Sequence, residues 1–551
     1  MLIFFRNTTF LIVFFFGTAF AQKVTSQWSV ATPFNPFRES VTNVLQGDNS
    51  GIYILKNVYS GGLLNRKVTP ILQKFDNKMN LAFTQDYSLS TTDDSKYALD
   101  EFVYMKKGFL MFTSKYERSS RTQTVYGIAI APNGKVDGKP KSLLSYDFEQ
   151  RADRANINIT TSEDTTKALV YFEVERYEKA EKDKLAFGVY DYNLNEIWSK
   201  SIVMPYSARK LDIINCSVDN NGDVFVLCKL YEQEMRQETK RRDDGKRESG
   251  FKYVLLQYNA TEKIPKEYEI SLPKKQIVNL KYKLTSKNEV VVAGFYADET
   301  SKARGIVGAL GGQGLTGIFY ALIDGNTKQT KAVSLKPFDT NFEQELKQRN
   351  GTLKTKDGGL AVSPYFEPRK FILRDDGGLV IISEFINVYT VQTRDANGII
   401  HTTTYYNYLD LIVTSVSPKG DIEWSSVIPK YQTSVNDGGY QSSYSLMVHD
   451  SKLHFIFNDN PRNFEQNSRG FYNISRNPQR NVVAIASVDA AGSVTKKILF
   501  SNKDKKSYLQ PNRGKQINAN EMVIYSSKNA SRFLGIKLSS DTYSLCKLRF
   551  E

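Results

Sequence analysis

Three cysteines, three histidines and three tryptophans are little reactive equipment for a chain of 551 residues. An odd cysteine number, Cys216, Cys228 and Cys546, argues against a disulfide framework. Cys216 and Cys228 flank a turn at Asn221-Gly222. In a tight hairpin Cys216 would face Leu227 and point away from Cys228, so buried, unpaired thiols are expected. Stability must then come from an apolar core, which a chain of this length can build. His401, His449 and His454 form no His-x-x-x-His pair, and Cys-x-x-Cys is missing too, so no metal site and no cofactor are expected. His454 lies in an apolar run and reads as core. Gly-x-Ser-x-Gly is lacking, which argues against a hydrolase elbow. The glycine-rich stretch 304–317 lacks Gly-x-x-x-x-Gly-Lys-Ser/Thr and is no phosphate loop.

Long apolar runs are also scarce. The one near the start, Leu11 to Phe16, follows Arg6 and precedes Ala19-Phe20-Ala21, the order of a cleaved export signal over residues 1–21. It is short for a membrane span. An exported chain is expected, in the periplasm, at the outer membrane or outside the cell. The net charge of +15 would suit an acidic surface glycan. Nucleic acid is not an expected partner of an exported protein, and scattered lysines also serve simply to solvate strand edges.

What the sequence has in abundance is short β-rich runs between Asn/Asp/Gly turns. Two kinds of turn recur. The first precedes a strongly apolar run: Gly47 to Gly51 before Ile52-Tyr53-Ile54-Leu55, Lys107-Gly108 before Phe109 to Phe112, Asp164 to Thr166 before Ala168 to Phe172. Asp219 to Gly222, Lys287-Asn288, Asp375 to Gly378, Asp450-Ser451 and Asn518 to Asn520 continue the series. The second kind follows another apolar run: Asp76-Asn77, Pro132 to Gly134, Asp191 to Asn193, Asn259 to Thr261, Asp324 to Asn326, Pro418 to Gly420, Asp489 to Gly492 and Ser540-Asp541. The two series interleave strictly. Each unit therefore reads strand A, tight turn, strand B, variable loop, strand C, tight turn, strand D. The B runs are apolar without alternation, so both of their faces are buried. The middle strands of propeller blades have that environment. An all-β fold follows: a β-propeller of four-stranded antiparallel blades, eight in number, with seven as the alternative. One domain spans 42–551, with an inserted connection at 338–370 and an N-terminal extension at 22–41 strapping the first blade to the last. Tyr543 to Phe550 reads as the final D strand.

In such blades the A–B and C–D turns share one face, and the B–C and D–A connections share the other. The length variation falls on the second face: 231–250, 296–316, 385–407, 458–479 and 338–370, the last with a short helix at Phe342 to Lys347 capped by Thr340 or Asn341. Long loops on a rigid scaffold carry function. Candidate binding residues are Arg241, Arg242, Lys246 and Arg247 in the first connection, and Tyr389, Tyr405 and Tyr406 on an extended hairpin turning at Asp395 to Gly398. Exposed tyrosine suits an interface, although cross-strand aromatic pairs also stabilise a hairpin.

Two units match in letters: Asn195-Glu196-Ile197-Trp198-Ser199 and Asp421-Ile422-Glu423-Trp424-Ser425. With its Asp/Asn-Gly turns and a Trp after the C–D turn, the chain resembles secreted envelope β-propellers of Gram-negative bacterial type. The resemblance is architectural. It implies a non-catalytic binding or scaffolding role with protein partners in a cell-envelope or surface complex. The alternative is a carbohydrate-active or carbohydrate-binding propeller with an axial pocket.

Overall fold

The computed structural model describes residues 23–551 except 49, 62–66, 90–96, 151–153, 176–181, 242–246, 286–288, 299–313, 348–351, 355–359, 397, 466–478, 529–531, 534–535 and 538–539. The expected export signal, most of the glycine-rich stretch and the Lys287-Asn288 turn lie outside the described residues.

Apolar runs with both faces buried become strands B and C of eight antiparallel blade sheets, six of four strands, one widened to five and one assembled from six segments. Blade 1 comprises Glu39–Asp48, Gly51–Ser60, Lys67–Phe75 and Leu81–Asp86, strands A to D. Blade 2 comprises Ala98–Met105, Gly108–Glu117, Thr122–Ile130 and Lys141–Asp147. Blade 3 runs Arg154–Thr161, Ala168–Glu175, Lys182–Tyr190, Glu196–Ser207. Blade 4 runs Leu211–Val218, Val224–Tyr231, Phe251–Tyr258, Lys266–Ile270. Blade 5 runs Lys275–Leu284, Glu289–Asp298, Gly317–Asp324, Thr330–Pro337. Blade 6 runs Phe366–Leu373, Leu379–Arg394, Ile400–Val416, Ile422–Ile428. Blade 7 runs Ser445–His449, Lys452–Asp459, Val482–Val488, Val494–Ser501.

Blade 8 is composite. Its strand A is the broken pair Tyr508–Leu509 and Lys515–Gln516, its B is Glu521–Lys528 and its C is Asp541–Phe550. Strand D comes from the other end of the chain: Val24–Trp28 and Thr32–Phe34 pair antiparallel with strand C, from Val24 opposite Phe550 to Phe34 opposite Asp541. This corrects the sequence expectation for Tyr543 to Phe550, which form strand C, and for Ser540-Asp541, which is no C–D turn. The N-terminal extension straps the ring as expected, by occupying the D position.

The unbroken apolar character of each B strand now has a reason. Ile52 and Ile54 pack on Val523 and Leu545 of blade 8, while Tyr53 and Leu55 pack on Phe102, Phe109 and Met111 of blade 2. The same division continues around the molecule: Phe112 with Phe172, Phe187 with Val226, Leu255 with Val292, Phe295 with Ile381, Val413 with Phe457, and Ile456 with Ile524. Eight apolar seams thus join eight sheets, each to the next and the last to the first. The fold is a closed eight-bladed β-propeller, and the seven-bladed alternative falls. Each fully buried side chain of this kind contributes about 1.5–3 kcal/mol.

The repeated tryptophans act between blades. Trp198 Nε1 donates to the Gly222 carbonyl at 2.8 Å and Trp424 Nε1 to the Ala490 carbonyl at 3.0 Å, each on a turn of the next blade. The thiols are buried and unpaired, but their placement differs from expectation. The A–B turn of blade 4 holds five residues, Asp219 to Asp223, so Cys216 faces Val226 rather than Leu227. Cys216 and Cys228 consequently share one face and one seam. The helix in the inserted connection, α1, spans Thr340–Lys347. Its first turn is capped by Asp339, whose Oδ1 accepts from Phe342 N at 2.8 Å, not by Thr340 or Asn341. Phe342 and Leu346 extend the seam between blades 5 and 6.

Removing residues 23–38 would leave the edge of Asp541–Phe550 unpaired. The truncated chain is expected to melt earlier than the full chain and to self-associate through that edge, which calorimetry and light scattering across a concentration series would check.

Candidate functional site

Strands B and C of blade 6 hold 16 and 17 residues, against seven to ten in the other blades. The surplus forms the expected hairpin, a ribbon on the face of the long connections. Its register runs from Ile386 opposite Tyr408 to Arg394 opposite Ile400. The turn closes through Asp395, whose Oδ1 accepts from Ile399 N at 2.9 Å, and whose Oδ2 meets His401 Nε2 at 3.0 Å. A third strand, Gln432–Val435, pairs along Tyr405–Tyr408 and widens the ribbon.

Register divides the tyrosines. Tyr389 and Tyr405 are opposite and stack with ring centroids 5.0 Å apart. Val435 sits opposite Tyr405 on the same face, and Val391 lies two residues beyond Tyr389. Val435, Tyr389 and Val391 are 47%, 45% and 38% exposed, so this face is an apolar, aromatic strip open to solvent. Tyr406 points to the other face, opposite Val388 and Ser434, and packs with Tyr408 against Gly439. Gly439 has φ +66°, and a Cβ there would stand 3.0 Å from Tyr408.

The basic candidates fall two blades away. Arg241 and Arg247 lie opposite one another in a small ribbon, Thr239–Arg241 against Arg247–Ser249. Arg242 and Lys246 lie outside the described residues. Much of the remaining charge in this connection is neutralised within it or by the residues around the start of strand A of the same blade. Lys240 bridges Glu232 and Glu248 at 2.7 and 3.0 Å. Arg236 donates to the carbonyls of Arg209, Ala208 and Leu211 and pairs with Asp212.

Under the Tyr ribbon runs a buried polar seam that sequence reading missed. Lys430 and Glu384 are fully enclosed and meet at 2.8 Å. Lys430 Nζ also donates to Gln432 Oε1 at 3.0 Å, and Ser443 Oγ donates to Glu384 Oε2 at 2.7 Å. Gln432 donates to the carbonyl of Asn458, and Lys430 N to Asp410. Burial pushes the Lys430 ammonium down, and Glu384 opposes that shift. The one signal available was Glu384 itself, a carboxylate inside an otherwise apolar B run. The seam ties the base of the ribbon to blade 7, which fixes its direction.

A second concentration of charge lies at the axis. Strand A of each blade is innermost, and A strands bond from blade to blade: Asn279 Nδ2 to the Phe366 carbonyl at 2.6 Å, Lys281 Nζ to the Arg369 carbonyl at 2.9 Å, Lys515 Nζ to the Leu45 carbonyl at 2.5 Å. Asp100, on strand A of blade 2, accepts from Ser114 Oγ at 2.9 Å, while among the described residues its Oδ2 has no partner. Burial pushes its carboxyl up to about 7, opposed by the Ser114 bond and reinforced by Glu101. The axis is therefore polar and charged, not a plug of small apolar residues. Among the described residues no group of three His, Cys, Asp or Glu could hold a metal ion.

No family model and no curated protein matches this sequence. Among solved structures the chain is similar to a protein of unknown function from Bacteroides caccae, with 9% identity, 68% of this chain and 93% of that one covered, and a TM-score of 0.26. It is similar at 8% identity to a polysaccharide lyase, an ulvan lyase, over 81% of this chain and 90% of that one, with a TM-score of 0.32. It is similar at 11% identity to the β-propeller domain of the Trilobed protease from Pyrococcus furiosus, over 67% and 93%, with a TM-score of 0.25. Likeness this distant says nothing of activity.

Two predictions follow from these groups. Lys430→Met, which leaves the buried Glu384 carboxylate only the more distant Arg369 at 4.0 Å, is expected to cost about 3–5 kcal/mol in urea unfolding, whereas a Glu384→Leu/Lys430→Met double variant loses much less. Between about pH 4 and pH 7 the native chain holds the Asp100 proton that the unfolded chain has released, so stability falls as pH rises through that window. Asp100→Asn should therefore melt above the parent at about pH 8, with the gap closing towards about pH 5.

Proposed function

We propose that this protein is an exported binding propeller of the cell envelope that holds a protein partner on the face of its long connections. The observation that carries the reading is the ribbon of blade 6. Its outer residues add nothing to the ring, whose seams are complete without them. They instead display Val391, Tyr389, Tyr405 and Val435 as one strip on a firmly anchored arm. Large, rather rigid aromatics on a pre-set backbone bind with little loss of conformational freedom. Arg241 and Arg247 belong to the same face by connectivity and, with Arg242 and Lys246 between them in sequence, supply charge for an acidic rim on the partner. Export rests on the order of charge, apolar run and small residues at the start of the chain. In this reading the protein scaffolds and performs no reaction.

The test is recovery of partners on the tagged full chain from its own envelope, in mild detergent. A Tyr389→Ser/Val391→Ser/Tyr405→Ser variant should keep the parent's melting temperature and lose about tenfold or more of captured partner, the scale of removing interface anchors. Undiminished capture by that variant would remove the ribbon from the interface.

A sugar-binding pocket on the axis is the second reading, and the charged lining of the channel is the observation that favours it.

A further inference from the structure

Two side chains of the inner strands reach across the ring rather than around it. Lys283 Nζ of blade 5 meets Glu163 Oε1 of blade 3 at 2.7 Å, passing over blade 4. Lys370 of blade 6 stands within electrostatic reach of Lys283 in blade 5 and of Lys515 in blade 8, passing over blade 7. Only a position inside the ring permits both approaches. Lys281 and Arg369 belong to the same group, joined by the bond from Lys281 Nζ to the Arg369 carbonyl. Lys281, Arg369 and Lys370 are exposed to solvent, so water and solutes reach them from the channel.

Five cations, Lys281, Lys283, Arg369, Lys370 and Lys515, thus converge from three blades. The carboxylates beside them are Glu163, already paired with Lys283, Glu384, whose Oε2 lies 4.0 Å from Arg369 Nε, and Glu367, two residues from Arg369 on the same strand. Among the described residues, Lys370 makes no hydrogen bond to the protein. Lys281 and Lys515 each give one proton to a carbonyl, leaving further donors free for a ligand.

The arrangement costs stability. Water reaches Lys281 and Lys370, but the protein walls around them, and then the neighbouring cations, push both below the usual lysine range, and Lys515 is pushed down by burial and by Lys370. Nothing in the seams requires charge at these positions, because the apolar contacts between blades are made by other residues. Like charges gathered between protein walls focus the field on whatever enters between them. Retaining groups that weaken the fold is characteristic of a binding site.

We propose that the central channel is an oxyanion site, in which Lys281, Lys283, Arg369, Lys370 and Lys515 take a ligand carrying several carboxylate, sulfate or phosphate oxygens. This gives the axial reading its ligand chemistry and rests on that reading, independently of the ribbon. Such oxygens come either from a small polyvalent anion or from an acidic glycan chain.

The experiment is calorimetric titration of the full chain with citrate, with trigalacturonate and with uncharged cellotriose. Saturable binding of trigalacturonate, of citrate or of both is expected, weakening steeply as salt is raised. Citrate alone, or citrate and trigalacturonate together, assigns recognition to the anionic groups themselves, and trigalacturonate without citrate assigns it to the glycan. Lys370→Met and Lys281→Met should each weaken binding about tenfold, the loss of one charge-assisted contact, and should melt no earlier than the parent. Lys240→Met, on the outer face, should bind as the parent does. Equal, salt-insensitive binding of cellotriose and trigalacturonate would overturn the oxyanion site while leaving the axial pocket standing. Binding by none of the three would overturn both, and binding indifferent to Lys370 and Lys281 would place the anion elsewhere.

Discussion

The rest of the structure depends on one pairing, that of Val24–Trp28 with the strand ending at Phe550. A propeller blade buries its apolar faces only if it has a neighbour on each side, so a ring with one sheet unfinished weakens two seams. Here the first strand of the protein completes the last blade. Ser29 adds reciprocal bonds with Leu545: its amide donates to the Leu545 carbonyl at 3.0 Å and its Oγ accepts from Leu545 N at 2.9 Å. Lys547 Nζ then reaches the Asn77 carbonyl of blade 1 at 2.6 Å, and Tyr543 Oη donates to Gln73 at 2.7 Å. The same contact that hides a sheet edge also locks blade 8 to blade 1.

Closure determines where function can lie. With the seams complete, the blades have little freedom to rearrange, and variation is confined to the connections and to the inner strands. On the connection face the exceptional feature is the blade 6 ribbon, kept at a fixed angle by the buried Lys430–Glu384 pair and its hydrogen-bonded neighbours. Along the axis the exceptional feature is an excess of lysine and arginine that no seam needs. The two proposed sites differ in chemistry: an aromatic strip suited to a protein surface, and a cationic channel suited to anionic oxygens. A scaffold holding a partner on its face and an acidic ligand in its centre is consistent with both.

Much of this was legible in the residues. The unbroken apolar character of runs such as Phe109 to Phe112 and Leu379 to Ile382 showed strands covered on both faces, and interleaving of two turn types pointed to eight units with seven as the alternative, although the eighth second turn, Ser540-Asp541, leads into strand C rather than out of it. The extended hairpin at Asp395 to Gly398 was readable because its arms alternate and its turn carries Asp and Gly. Less was legible wherever a single residue shifted register: the five-residue Asp219 to Asp223 turn put Cys216 and Cys228 on one face. Glu384 signalled the polar seam only as an anomaly, since its partner Lys430 lies on the far side of a long hairpin.

Local pattern by itself determined the four-stranded repeat, the loop-bearing face and the tyrosine-bearing ribbon, because strand periodicity and turn chemistry act over a few neighbouring residues. Only the tertiary structure decided which strand finishes blade 8 and which tyrosines face solvent. It alone gathered Lys281, Lys283, Arg369, Lys370 and Lys515 into one channel, because ring closure brings together side chains that the sequence keeps far apart.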